Sequence, residues 1–231
     1  MTQAVYTKLP DRAFICITGD DRRSFLQGLI TQDIDILDTQ PLLYSCLLTP
    51  NGKFLFDFFI SENGETIILD CEGGERASAL FKRLSMFKLR SNVTLELQDN
   101  IDAFQIFNGT WDDDYKDPRH KECGYRTYSK PNALGTVEFN TWDKHRIQHE
   151  IPDGSHDLIP EKSFIHESDI VIESAVSYTK GCYMGQELVS RMHHRGLAKK
   201  KLRCIDIKNS PEGADLRSTC GDVGLALTRL S

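Results

Sequence analysis

Residues Lys180 to Glu187, reading Lys-Gly-Cys-Tyr-Met-Gly-Gln-Glu, hold the densest chemistry in the chain. An ammonium, a thiol, a phenol, an amide and a carboxylate fall within about two helical turns' length of backbone, and two glycines interrupt them. Glycine serves where a chain bends sharply or where another group approaches the backbone closely. The stretch after Gly185 predicts a helix, so Cys182 is expected just ahead of a helix start and two residues from Lys180. A helix N-terminal dipole and a neighbouring ammonium both favour a thiolate. A lone cysteine more often fills space as a small hydrophobe. The concentration of functional groups around Cys182 favours a working thiol, with Lys180 as the group that activates it.

The elements that must hold this segment read as an α+β arrangement. Arg12 to Thr18 alternate as a strand, and Phe25, Leu26, Leu29, Ile30, Ile34 and Leu37 then form the apolar stripe of a helix, with Asp20 or Asp21 as its cap. Leu42 to Leu48 and Lys53 to Ile60 read as strands joined at Asn51-Gly52, a hairpin pair because both residues tolerate positive φ. Asn63-Gly64 repeats the device before a strand from Thr66 to Leu69. A helix after Gly74 places Ala77, Leu80, Leu84 and Phe87 on one face, and Val93 to Leu97 and Ala103 to Phe107 look extended. Residues 111–122 are polar and predict a surface loop. A short helix is expected from Trp142 to His149. The helix after Gly185 turns Leu188, Val189 and Met192 to the core and sets Glu187 four residues before Arg191. Strand, helix, several strands, helix and strand imply helices covering an antiparallel-rich sheet.

Length allows one large domain or two modest ones in 231 residues. Hydrophobic content of 39% and charged content of 27% describe an ordinary globular chain. A formal net charge of −6 argues against a surface that coats nucleic acid. No apolar run approaches the roughly 20 residues of a membrane helix. The first residues show neither a basic nor an apolar leader segment, so a cytoplasmic location is expected. The seven cysteines are widely spaced and contain no C-x-x-C, a poor pattern for disulfides, zinc fingers or clusters. Cys182, His193 and His194 are the best metal-ligand set the spacing offers, and it is weak; no metal site is expected. From Lys180 to Arg203 only Glu187 opposes seven bases, a local positive patch suited to an anionic ligand.

The octapeptide resembles the K-G-C-Y-x-G-Q-E signature of the YgfZ family, folate-binding relatives of the glycine-cleavage T-protein that are linked to iron–sulfur enzyme maintenance. Supporting segments occur in the family's order. Phe25-Leu26-Gln27-Gly28-Leu29-Ile30-Thr31-Gln32-Asp33 is similar to its F-L-Q-x-x-x-T-x-D stretch, and Leu48-Thr49-Pro50-Asn51-Gly52-Lys53 to its L-x-P-x-G-R/K hairpin. Arg146-Ile147 and Ile151-Pro152 fit its R-x-x-x-G-I-P stretch, with Glu150 where that pattern has glycine. The resemblance implies an aminomethyltransferase-like, folate-binding α+β core over residues 1–195 and a truncated C-terminal β-barrel over 196–231.

The same resemblance implies tetrahydrofolate or a related reduced folate as ligand, with Asp57, Arg146, Gln148, Tyr183, Gln186, Glu187 and Arg191 around it. Bases such as Arg191 and Lys199 would meet the folate's glutamate tail. The transferase relatives carry an Asp-Asp pair where this chain has Phe56-Asp57, and an R-x-E motif where it has Arg146-Ile147-Gln148. The implied role is therefore an accessory protein that supports assembly or repair of iron–sulfur enzymes. Its partners would be folate and iron–sulfur assembly proteins or their client enzymes, with neither membrane nor nucleic acid. A folate-dependent one-carbon transferase, a factor associated with tRNA modification and a scaffold indifferent to folate are the alternatives. No G-x-x-x-x-G-K-[ST] motif is present, so a tRNA-modifying role would need a separate nucleotidase.

Overall fold

The computed structural model describes residues 3–111, 115–196 and 198–230. The chain begins with β1 (Val5–Lys8), β2 (Arg12–Thr18), α1 (Arg22–Gln27), β3 (Leu43–Leu48), β4 (Phe54–Asn63) and β5 (Thr66–Glu72). Next come α2 (Gly74–Lys88), β6 (Thr94–Gln98), β7 (Phe104–Phe107), β8 (Tyr115–Lys116), β9 (Tyr125–Thr127) and β10 (Gly135–Thr136). Four helices follow: α3 (Phe139–Gln148), α4 (Gly154–Asp157), α5 (Asp169–Ala175) and α6 (Gln186–Arg195). The last strands are β11 (Lys200–Asp206), β12 (Asp215–Cys220) and β13 (Val223–Arg229).

The two Asn-Gly pairs turn β3 into β4 and β4 into β5, with Gly52 at φ 71° and Gly64 at φ 58°. They build an antiparallel sheet in the order β3-β4-β5-β2-β6. One face packs on α1 and α2 through Ile15, Leu26, Phe58, Leu69, Leu80 and Leu84. The opposite face meets α5, α6 and the C-terminal strands through Tyr44, Phe59, Val171, Val189 and Leu225. Every residue of β3 is consequently buried, as expected for a strand covered on both faces. Strand β6 is the exposed edge. A second sheet, ordered β10-β1-β7-β9-β8, is antiparallel except where β1 runs parallel to β10. Residues 200–229 form a three-stranded antiparallel sheet, β11-β13-β12, rather than a closed barrel.

Two local expectations change. The stripe from Phe25 to Leu37 is a core surface but not one helix: α1 stops at Gln27 and a 3-10 turn, Ile34–Asp38, follows. Gly28 lies at the break, where orphan carbonyls of a helix end need donors from elsewhere. The polar segment 111–122 partly folds inward, since Asp117 is buried and its side chain pairs with Arg119 at 2.8 Å. Residues 112–114 of that segment lie outside the described residues.

Candidate functional site

A cavity of about 360 Å³ opens between the two five-stranded sheets and α3. Its wall is made by Arg12 of β2, Asp57 and Phe59 of β4, Arg126 of β9, Trp142 and Arg146 of α3, and Arg119 and Asp153 from the loops. Behind the wall lies Asp70, which interrupts the apolar run of β5. Its carboxylate accepts from Arg12 Nε at 2.8 Å, from Tyr128 Oη at 3.0 Å, and from Arg126 Nε. Arg12 and Asp70 belong to the first sheet and Arg126 to the second, so this ion cluster pins the sheets together at the cavity floor. Burial pushes the Asp70 carboxyl up, but the two guanidiniums outweigh it and hold the group below its ordinary value.

Most of the cavity's positive charge is already neutralised. Arg119 pairs with Asp117, and Arg146 pairs with Asp157 and Asp143 at 2.7 Å each. Arg126 is paired with Asp70, but its side chain is 2% exposed and its second terminal nitrogen has no hydrogen-bond partner among the described residues. A buried, unsatisfied guanidinium nitrogen beside a cavity is a donor awaiting an acceptor. Arg119 and Arg126 also lie over the Phe59 ring, at 4.9 Å and 4.3 Å from its centroid. Asp57 accepts from Tyr44 Oη at 2.8 Å. Burial raises its pKa, against the opposing pull of Tyr44 and Arg12.

Phe56 faces the other way, into the core beneath α2, because neighbours on a strand point to opposite faces. The phenylalanine therefore does not decide the cavity's acid chemistry; Asp57 supplies a carboxyl there. The structure brings Asp57 and Arg146 together as expected. Gln148 is exposed and does not line the cavity, which corrects its assignment to a folate edge. None of Lys180, Cys182, Tyr183, Gln186, Glu187 and Arg191 lines it either. Lys199 is likewise remote from the wall, and Lys201 is tied to Asp169, so the basic patch does not serve this cavity. Asp70, Arg119 and Arg126 were missed. The available signal was Asp70, a charge next to the apolar run of a strand, which demands a buried partner.

The octapeptide lies apart from this cavity. Tyr183 is buried, while Cys182 is the one exposed cysteine of the seven. The cysteine's position is set by its neighbours. Gly185, at φ 84°, lies on the β3–β4 hairpin so closely that a Cβ would stand 2.7 Å from the Thr49 carbonyl oxygen. Gly52 on the hairpin is equally constrained by Leu188, 2.9 Å from where its own Cβ would be. The Lys180 ammonium donates to the carbonyls of Gln27 at 2.8 Å, Ile30 at 2.9 Å and Gln32 at 2.8 Å. An ammonium has three donors, and all are used. This corrects the expectation that Lys180 activates the thiol: it clamps the 27–32 loop and ends α1. Burial lowers its pKa to about 8. Thr31 Oγ1 to the Ala175 carbonyl, Gln32 Nε2 to the Ser174 carbonyl and the Met184 amide to the Gly28 carbonyl complete the clasp. Glu187 and Arg191 form an exposed pair at 3.9 Å on α6.

No family model matches the chain. It is 29% identical to the mouse protein "Iron-sulfur cluster assembly factor IBA57, mitochondrial" over 96% of this chain and 76% of that protein. It is 28% identical to the human protein of the same name over 84% of this chain and 64% of that one. Against a homologue from Pyricularia oryzae identity is 28%, over 87% of this chain and 57% of the fungal protein. The chain thus spans little more than half of the fungal relative. In structure it resembles the glycine cleavage system aminomethyltransferase T from Bartonella henselae, with a TM-score of 0.70, 13% identity, and coverage of 99% of this chain and 79% of that one. The chain is thus similar to the IBA57 proteins over most of its length and has the aminomethyltransferase T fold. The names of these relatives place them in mitochondria, which overturns the expectation of a cytoplasmic location. Among the described residues no helix is long and apolar enough to cross a membrane.

Proposed function

We propose that this protein is an iron–sulfur cluster assembly factor, working through an exposed thiol at Cys182 and a separate folate cavity. The observation that carries this reading is similarity to named assembly factors over 96% of the chain. The exposure of Cys182 supports a thiol that meets a partner protein at the surface. Its absence from the cavity wall speaks against one-carbon capture from a bound folate. In cells lacking their own relative, the intact chain should restore the activity of iron–sulfur enzymes, and Cys182→Ser should not. Full rescue by Cys182→Ser would make the thiol dispensable, and failure of both would overturn the assembly role.

The cavity residues fit a reduced folate. Asp57 offers an acceptor for the pterin's N–H edge, Trp142 and Phe59 offer aromatic walls, and the free Arg126 nitrogen suits a carboxylate or carbonyl of the ligand. When bound, the folate would supply one-carbon carrier chemistry; the protein's part is to hold and orient it. Reduced folate at about 100 times its Kd should stabilise the protein by roughly 2.7 kcal/mol, seen as a rise in Tm. Loss of the Asp57 charge should weaken binding by about 10- to 100-fold, since a hydrogen bond to a charged group contributes about 1.5–3 kcal/mol. Asp57→Asn is the variant to measure by calorimetry, with the exposed Gln148→Ala expected to bind as the parent does. No Tm shift with folate, or equal binding by Asp57→Asn, would remove the cavity from this reading.

A further inference from the structure

Outside both sites, the 3-10 turn Lys121–Cys123 packs against the C-terminal end of α3. There Glu122, His145 and His149 each present a ligand atom within 4.8 Å of the other two. His145 and His149 sit four residues apart on one helix face, with ring centroids 4.6 Å apart. Three features distinguish this group from a chance cluster. His145 Nε2 lies 2.8 Å from the Glu122 backbone carbonyl, which can only accept, so this nitrogen carries the proton and Nδ1 keeps the lone pair. A ring nitrogen donating to a backbone carbonyl is the arrangement that fixes metal-binding histidines in one tautomer. The Glu122 carboxylate is partly buried and has no ion-pair partner among the described residues. The ring of His145 is held in place, tilted against Phe107 at 5.1 Å and stacked on Trp142 at 5.7 Å.

We infer that Glu122, His145 and His149 form a binding site for a divalent transition metal. Two imidazoles and one carboxylate with open positions are the donor set that suits Zn²⁺ or Fe²⁺ rather than Mg²⁺. Metal–nitrogen distances near 2.1 Å bring donor atoms to separations of at most about 4.2 Å, so small side-chain rotations close the set. His120 is not a fourth ligand: its Nδ1 accepts from the Glu122 amide at 3.3 Å, which leaves the proton on its other nitrogen. Water completes the coordination. The H-x-x-x-H spacing is visible in the sequence, but Glu122 is brought to it only by the fold.

Calorimetric titration of the full chain with Zn²⁺, with Fe²⁺ under anaerobic conditions, and with Mg²⁺ tests the site. One Zn²⁺ should bind per chain, Fe²⁺ should bind more weakly in the order expected for nitrogen and oxygen ligands, and Mg²⁺ should not bind measurably. Loss of a ligand should cost more than loss of an outer partner, so His149→Ala should weaken Zn²⁺ binding by about 100-fold or more. The near-isosteric Glu122→Gln should weaken it in the same direction while leaving Tm without metal unchanged. Cys182→Ser and the double change His193→Ala with His194→Ala should bind as the parent does. Absence of Zn²⁺ binding, parental affinity in His149→Ala and Glu122→Gln, or loss of binding in Cys182→Ser or the His193/His194 variant would each overturn the assignment.

Discussion

Asp70→Asn is expected to destabilise the folded protein by about 3–5 kcal/mol, the usual cost of breaking a buried ion cluster by removing one partner. Arg12 and Arg126 converge on this carboxylate from different sheets, and Asp70 and Arg126 have side chains 1% and 2% exposed. Asparagine fits the space but leaves two guanidiniums facing each other with no counter-charge. The measurement is denaturant unfolding at neutral pH. The effect also has a pH signature. Because the folded carboxyl is held below its ordinary value, its stabilisation is complete above the unfolded pKa and is lost as pH falls through the folded one. The gap between parent and variant should therefore close in strong acid. A neutral-pH difference below about 1 kcal/mol would mean that the sheets are not held together here.

Lys180→Met should cost about 3–5 kcal/mol as well, for a different reason. Methionine retains the apolar stem but strands the carbonyls of Gln27, Ile30 and Gln32, and hydrogen bonds to a charged donor are worth about 1.5–3 kcal/mol each. Part of that loss is recovered because the buried ammonium no longer has to be desolvated. The two possible roles of Lys180 separate experimentally. A clamp loses stability when removed, and alkylation of Cys182 in the native state is then not slowed. An activator does the reverse: stability holds and alkylation slows. The second outcome would restore the thiolate role that the geometry assigns away from Lys180.

Much of the scaffold was legible because it rests on local rules. The two Asn-Gly pairs dictated hairpins, the alternation of Arg12–Thr18 dictated β2, and the stripe of α2 dictated its buried face. The octapeptide stood out in the sequence, and the structure leaves its Cys182 exposed. What escaped were charges that act through partners distant in sequence. Asp117 and Arg119 look like surface residues until the fold pairs them beneath the cavity. Lys180 looks like a thiol's neighbour until the loop at 27–32 captures its ammonium. Gln148 was placed by motif position alone; two residues past Arg146 on α3, about 200° around the helix, its side chain is exposed.

The bonds of Lys180 span 148 to 153 residues of chain. During synthesis the N-terminal loop emerges long before the ammonium that completes it, and a chain interrupted before Lys180 holds that loop only by its local bonds, such as Gln27 to Asp33 and Thr31 to Cys46. The turn that carries Cys182 reaches its final shape only when both ends of the clasp are present. Display of the thiol is thereby tied to completion of the fold: the surface position of Cys182 belongs to the finished molecule.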